Sequence, residues 1–521
     1  EDQRFLTGFG KYIDDIAPAD ALHAFVFRSP IAHGVITNLD VSDARNSDGV
    51  AAVITAADLI AADISMDLEG TVVKNRDGTD GAKPPRPLLA TDRVRHVGEP
   101  VAMIIADTMQ QARDAAELIE FDYDELPVQL ALAPGDTDIH DEAPGNLAFD
   151  WEMGDAEKTQ AEFDNAAHVV KLEVGDNRVI VNSIEPRGCY AEFDGERLHV
   201  AMNAQGVWAH WNRLSQMLNM PKDNVRVTNP DTGGGFGMKA MAYPEAYVLA
   251  HAAMKLGRPV RWMSDRTEAM LTDNAGRDLV SWAEFAFDAD HRIKAYRVHT
   301  DCNMGAYNSQ YAQPIQTQLF SRVLMGTYDV QATYLSVKGY YTNTTQVDAY
   351  RGAGRPEAIY VLERLMDRAA RELGVDLWEL HHKNFIPLDK FPYKTTTGEI
   401  YDVGDFSRVL NHAEIACDRA GFGSRKSASE AAGKLRGQGL CFYIESILGD
   451  PSESTRVEFN DDGTVCIFVG TQSNGQGHET VYAKFLSDQT GIPLDKIIVV
   501  QGDSDLIKQG GGTGGSRSVT V

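Results

Sequence analysis

The sequence predicts an α+β fold of several domains, and three observations carry that expectation. Its 521 residues exceed a single ordinary core; at roughly 100–200 residues per domain, the chain divides into about three or four. Runs with strand character alternate with segments of helical period, as mixed sheets with interspersed helices require. Two pairs of strand-like runs flank short turn sequences: residues 281–287 and 292–300, and residues 456–459 and 465–469 across Asn460-Asp-Asp-Gly463.

Residues 1–125 form a first unit. Within it, residues 97–106 read as a buried strand and residues 108–120 as a helix with Ala112, Ala115, Ala116 and Ile119 on one face. Pro84, Pro85 and Pro87 break any regular element between them. A polar connector with Pro127, Pro134 and Pro144 occupies residues 126–150. A second unit, residues 151–400, holds the first hairpin and two well-marked helices. Residues 243–255 have Pro244 near the start and Gly257 past the end. Residues 356–373 have Pro356 in the first turn, Gly374 as cap, and a stripe of Ile359, Leu362, Leu365, Met366 and Ala369. A Pro/Thr/Gly-rich stretch at residues 386–404 marks the boundary with a last unit, residues 401–521, whose second hairpin precedes a helix at 479–489.

Composition narrows the function classes. The chain is 43% hydrophobic and 24% charged, and no stretch approaches the ~18–20 apolar residues of a membrane span. A net charge of −27 argues against nucleic acid or an anionic membrane surface as a general partner. The five cysteines form no Cys-x-x-Cys pair, which argues against an iron–sulfur cluster or structural zinc on this chain and for free thiols in a reducing compartment. The chain opens on Glu1-Asp2 and stops after a glycine-rich loop, so both ends read as cut.

Four glycine-rich loops carry the chemistry: Asp231-Thr-Gly-Gly-Gly-Phe-Gly-Met-Lys239, Asp348-Ala-Tyr-Arg-Gly-Ala-Gly-Arg-Pro-Glu357, Gly470-Thr-Gln-Ser-Asn-Gly-Gln-Gly-His-Glu479 and Gln509-Gly-Gly-Gly-Thr-Gly-Gly-Ser-Arg517. Without a Cβ, glycine lets backbone approach a ligand closely, and exposed N–H groups at a loop or helix start bind anions. Four such loops point to a large anionic cofactor touched by backbone from several directions. Taken singly, each has a plainer reading: residues 233–237 as a tight turn or bulge, His478 as a local hydrogen-bonding partner, Gln205 as a structural glutamine after the strand-like run 197–202. The common nucleotide and hydrolase patterns are missing: no Walker A loop, no G-x-G-x-x-G in a strand–turn–helix setting, no H-E-x-x-H, no G-x-S-x-G.

Taken together, the motifs resemble the molybdenum-binding large subunit of the xanthine dehydrogenase / aldehyde oxidase / carbon monoxide dehydrogenase family of molybdenum hydroxylases. Those that carry the resemblance run in order along nearly the whole chain. They are Arg4-Phe-Leu-Thr-Gly-Phe-Gly-Lys-Tyr-Ile-Asp-Asp15, Phe27-Arg-Ser-Pro-Ile-Ala-His33, Val97-Gly-Glu-Pro-Val-Ala102, Ile184-Glu-Pro-Arg-Gly188, Gly233-Gly-Gly-Phe-Gly237, Thr342-Asn-Thr-Thr345 and Gly475-Gln-Gly-His478. Arg258-Pro-Val260 and Asp265-Arg-Thr-Glu268 add to them.

The resemblance implies a hammerhead domain at 1–125, a first molybdopterin-binding domain at 151–400 and the start of a second at 401–521, its remainder absent. It implies molybdenum with molybdopterin cytosine dinucleotide, the metal held by the pterin dithiolene and by no protein ligand. Gln205 would hydrogen-bond an oxo ligand through its side-chain amide. Phe236 and Gly237 would approach the metal, with a backbone N–H to that ligand, and Gly235 would adjoin the cofactor. Arg351 would present its backbone beside the metal, next to Gly352 and Ala353. Gln476, Gly477 and His478 would contact the pterin or its phosphates, and Thr513, Ser516 and Ser518 would supply a further contacting stretch.

The implied reaction is hydroxylation of an N-heteroaromatic or aldehyde substrate with oxygen from water. A glutamate acts as base, and electrons leave through the pterin to [2Fe–2S] clusters and FAD. Those groups would sit on a small 2Fe–2S subunit and a medium FAD subunit in a dimer of heterotrimers, located in a bacterial cytoplasm or tied to membrane or periplasm through partners. Two departures qualify this. The copper-dependent carbon monoxide dehydrogenases carry a cysteine directly after the arginine, where this chain has Gly352. The family's base, a glutamate in a Gly-x-Gly-Glu setting, has no counterpart here; Glu445 and Glu479 stand in other contexts. The alternatives are reductive dehydroxylation of an aromatic thioester on the same cofactor, and a non-catalytic cofactor-binding scaffold.

Overall fold

The computed structural model describes residues 1–68, 70–449 and 453–519. A mixed seven-stranded sheet joins the first unit to the second. Its order is Val225–Thr228, Leu198–Met202, Gly188–Phe193, Val260–Met263, Leu22–Arg28, Pro100–Ala106, Val50–Thr55. Leu22 pairs in parallel with Val260, so the sheet is continuous across residues on both sides of position 125. The helix Pro244–Leu256 lies on it, buried at every residue from Tyr247 to Ala253. Tyr247, Val248 and Leu249 share one core with Leu22, Val200 and Val260. A helix apolar over most of its surface is what burial against a sheet demands, and the buried Glu245 is paired with Arg28 and Arg187.

A five-stranded sheet forms the second layer: Leu147–Gly154, Ala332–Tyr341, Ile293–Gly305, Leu279–Phe287, His168–Asp176. The expected hairpin is its centre, with Leu279–Phe287 antiparallel to Ile293–Gly305. The helix Arg355–Leu373 packs on this sheet through Ala358, Val361, Leu362, Leu365, Met366 and Ala369, against Phe285, Tyr296 and Leu335. Gly374 closes it in the left-handed conformation at φ 68°. Each fully buried aromatic or leucine there contributes about 1.5–3 kcal/mol. Because this helix begins where the loop 348–354 ends, its packing fixes that loop.

The last unit contains the second expected hairpin, Thr455–Phe459 antiparallel to Val465–Val469, with Ile497–Val500 parallel to the latter. The helix His478–Thr490 follows the third glycine loop. Two expectations need correcting. The helix drawn over 108–120 is Met109–Ala116, because Glu120 already begins the strand Glu120–Glu125. That strand pairs with Gly34–Asp40, and this outweighs helical propensity. The strand drawn over 97–106 starts only at Pro100, since Gly98 turns the chain with φ 89°. Among the described residues, no helix is long and apolar enough to cross a membrane.

Candidate functional site

Gln205 joins two of the loops, 231–239 and 509–517. It follows the strand Leu198–Met202 and is 5% exposed. Its Oε1 accepts the Gly237 N–H at 2.8 Å, and its Nε2 donates to the Thr513 carbonyl at 2.8 Å. The Thr513 N–H in turn donates to the Gln205 carbonyl at 2.6 Å. The backbones meet here as well: a Cβ on Gly206 would stand 2.6 Å from Gly512 Cα, and one on Gly512 would stand 2.3 Å from the Gln205 carbonyl oxygen. Only glycine on both sides permits this approach.

The loop 348–357 packs against the first loop at Phe236. The Arg351 N–H donates to the Phe236 carbonyl at 2.9 Å, while the Arg351 side chain is exposed. The backbone is left-handed at Phe236 (φ 55°), Gly352 (φ 107°) and Ala353 (φ 41°). A Cβ on Gly352 would lie 2.2 Å from Pro356 Cγ. Any other residue there would carry both the dihedral penalty and that clash.

The third loop is tied to the last. The Gly512 N–H donates to the Gly470 carbonyl at 3.0 Å. Thr513 Oγ1 donates to the Gln472 carbonyl at 2.6 Å, accepts the Gln472 N–H at 3.1 Å and lies 3.0 Å from Ser518 Oγ. Tyr482 OH donates to the Ser518 carbonyl. Asn474 Nδ2 reaches the Ala204 carbonyl at 3.2 Å, and Gln476 Oε1 accepts the Asn474 N–H at 2.5 Å. Gly477, at φ 87°, caps the helix His478–Thr490. His478 is 2% exposed with Nδ1 unpartnered among the described residues, and burial lowers its pKa, so the imidazole is neutral at pH 7. Ser516 is exposed, with φ 60°.

Every residue singled out in the four loops therefore falls in one connected region. One detail differs from the resemblance: the Gly237 N–H is taken by Gln205. The N–H groups of Gly235, Phe236 and Gly352 have no acceptor among the described residues. Beside the cluster opens a groove of about 690 Å³, lined by Asp231 to Gly234, Phe236, Gln472 to Gly475 and the segment holding Arg4, Phe5, Lys11 and Tyr12. Arg4 bridges its walls, pairing with Asp231 at 2.5 Å and Glu479 at 3.0 Å. Glu445 is engaged by Arg355 Nε at 3.1 Å.

Sequence reasoning missed three supports. Glu185 Oε2 accepts the Gly233 N–H at 2.7 Å and lies 3.2 Å from Lys239 Nζ. Lys239 is 3% exposed, and its own carbonyl accepts the Gln205 N–H at 3.2 Å. Arg277 grips the loop 348–353 from behind. Ile184 and Glu185 fall within one of the family motifs, but neither Glu185 nor Arg277 sits in a glycine-rich stretch, where the sequence signal for the site lies.

Comparison with known proteins defines the class first. Residues 139–385 and 415–521 match two models described as "Molybdopterin cofactor-binding domain". Residues 7–127 match "Aldehyde oxidase and xanthine dehydrogenase, a/b hammerhead domain". The chain is 34% identical to the carbon monoxide dehydrogenase large chain of Hydrogenophaga pseudoflava, over 100% of its own length and 68% of the relative's. It is 32% identical to the nicotine 6-hydroxylase large subunit of Paenarthrobacter nicotinovorans, over 100% and 65%. Among solved structures, quinoline 2-oxidoreductase from Pseudomonas putida 86 superposes with a TM-score of 0.92 at 30% identity, covering 99% of this chain and 67% of that one. The chain belongs to the xanthine dehydrogenase family of molybdenum-dependent hydroxylases and dehydrogenases, as a molybdenum-binding large subunit. It spans about two thirds of the length of these relatives.

Proposed function

We propose that this chain is the molybdopterin-binding catalytic subunit of a hydroxylase that oxidises an N-heteroaromatic or aldehyde substrate with oxygen derived from water. The observation that carries the reading is the junction at Gln205, which draws the loops at 233–237 and 509–518 onto one another while Arg351 docks the loop 348–353 on Phe236. The residues present fit a pterin cofactor. Glycines approach so closely that a Cβ would collide, and the amides of Gly235, Phe236 and Gly352 lack acceptors among the described residues, as donors awaiting an anionic or oxo group do.

When bound, the cofactor supplies a two-electron redox centre. The chain's own residues do the rest. Gln205 spends one Nε2 proton on Thr513 and keeps a second that has no acceptor among the described residues. Phe236, 44% exposed, offers an apolar wall at the groove. Gln476, Gly477, Thr513, Ser516 and Ser518 would hold the pterin and its phosphates, with the cytosine dinucleotide as the expected form. The neutral His478 would contribute a hydrogen bond and no charge.

Two relatives act on aromatic nitrogen heterocycles by name, a nicotine hydroxylase and a quinoline oxidoreductase, and this supports the substrate class. Gly352 supports it from the other side. The Cβ of any side chain at that position would lie 2.2 Å from Pro356 Cγ, and Gly352 carries no thiol, so the loop as it stands does not suit a bridging cysteine and copper-dependent carbon monoxide oxidation. Partner subunits carrying 2Fe–2S clusters and FAD complete the proposed electron path. The test is turnover of the purified complex on quinoline-, pyridine- and aldehyde-class substrates in ¹⁸O-labelled water. Label in the product supports the reading. Carbon monoxide oxidation alone, or oxygen drawn from O₂, sinks it.

A further inference from the structure

Arg277 stands on the far side of the loop 348–353 from Phe236, and its guanidinium gathers two consecutive carbonyls of that loop. Nη1 donates to the Tyr350 carbonyl at 2.9 Å and Nη2 to the Arg351 carbonyl at 3.1 Å. Nη1 also pairs with Glu357 Oε1 at 3.2 Å, and the guanidinium carbon lies 5.0 Å from the centre of the Tyr350 ring. Glu357 is 1% exposed, and its other oxygen accepts the Gly354 N–H at 2.8 Å. Arg277 itself has φ 64° and its neighbour Asp278 φ 70°. Two adjacent non-glycine residues in the left-handed region are costly, at about 1–3 kcal/mol each, and such strain persists where surrounding contacts impose it. Asp278 is held by Arg178 at 3.0 Å and by Asn303 Nδ2 at 2.9 Å.

A trans peptide sets its N–H opposite its C=O. Drawing the Tyr350 and Arg351 carbonyls onto one guanidinium therefore turns the Arg351 and Gly352 amides away from it. The Arg351 amide reaches the Phe236 carbonyl at 2.9 Å, and the Gly352 amide meets no acceptor among the described residues. We infer that Arg277 is a positioning residue: through its two carbonyl contacts it aims the Gly352 N–H into the reaction site and holds the loop at the distance Phe236 sets. The inference rests on the proposed function, because it takes the space between these loops as the site of reaction. It needs a planar fork of donors. A lysine keeps the charge opposite Glu357 but cannot span both carbonyls in fixed geometry.

The test uses the assembled complex with R277K and E357Q, read by molybdenum content, melting temperature, the Mo(V) electron paramagnetic resonance spectrum, and kcat and KM. R277K is expected to keep its molybdenum and melting temperature, to shift the Mo(V) signal, and to lose about 100-fold in kcat with little change in KM. E357Q, which removes the ion pair and leaves both carbonyl contacts, is expected to keep the wild-type signal. Three results would overturn the inference: wild-type kcat and signal in R277K, activity lost only in proportion to lost metal, or a signal shift in E357Q as large as that in R277K. A wild-type complex without molybdenum would instead overturn the functional reading, so the two failures are distinguishable.

Discussion

Two regions bring loops to the same site by different means. The five-stranded sheet delivers the loop 348–354 from a core. Phe285, Phe287 and Tyr296 are wholly buried, and the helix that continues the loop seats a full stripe against them. The three-stranded sheet of the last unit delivers the loops 470–477 and 509–518, with Val465, Ile467 and Val469 buried on its central strand. Its strand Thr455–Phe459 is exposed along its whole length, Phe459 and Phe485 are 75% and 63% exposed, and the helix His478–Thr490 buries only His478. Within the described residues, the second pair of loops is tied to the rest of the site through Gln205, Thr513 and the glycine contacts. In the first region a packed helix and sheet hold the loop; in the second the described contacts are hydrogen bonds and close backbone approach between loops.

The contrast can be broken at its strongest point first. Phe285→Ala should cost about 3–5 kcal/mol, read by denaturant unfolding, while Ile467→Ala in the last unit should cost about 2 kcal/mol, the low end for such truncations. Equal losses would erase the distinction. Gln205→Ala leaves the Gly237 amide and the Thr513 carbonyl without partners, at a cost of about 1–3 kcal/mol. In the assembled enzyme it should lose about 100-fold in turnover while remaining folded; unchanged turnover would remove Gln205 from the site. Thr513→Val removes a hydroxyl that meets Gln472 and Ser518. It should cost about 1–2 kcal/mol, with faster hydrogen exchange confined to residues 470–518. Exchange that quickens equally in 279–305 would contradict the local reading.

The smallest effect is a pH dependence. Burial and the nearby Glu357 push the Asp176 carboxyl up from 3.8 to about 6, against the pull of Arg277. The folded chain then holds a proton that the unfolded chain releases. This group's contribution to stability falls as pH rises from 3.8 towards about 6 and is flat above. Asp176→Asn should raise the melting temperature at pH 8 and leave it unchanged near pH 4. A rise of the same size at both would contradict the assignment.

Much of this was legible in the sequence where the signal was local. Pro356 and Gly374 bracket the helix Arg355–Leu373, and Asn460 to Gly463 mark a real hairpin. The glycine loops were legible because close backbone approach leaves glycine at fixed places, whereas Gln205 taken singly reads as a structural glutamine and stood out only through the family resemblance. What stayed hidden was long-range pairing. No periodicity shows that Leu22 joins Val260 in one sheet, that Glu120 leaves a helix to pair with Asp40, or that Arg277 folds back on carbonyls 73 and 74 residues away. An arginine that grips backbone leaves no pattern in side-chain spacing.

The most direct test of the central claim, that loops joined through Gln205 form a molybdopterin site, is metal and nucleotide analysis of the purified complex, wild type beside Gln205→Ala. The account predicts stoichiometric molybdenum with CMP released by acid from the wild type, and a diminished content in the variant. A fully active wild-type complex containing neither molybdenum nor pterin would contradict it.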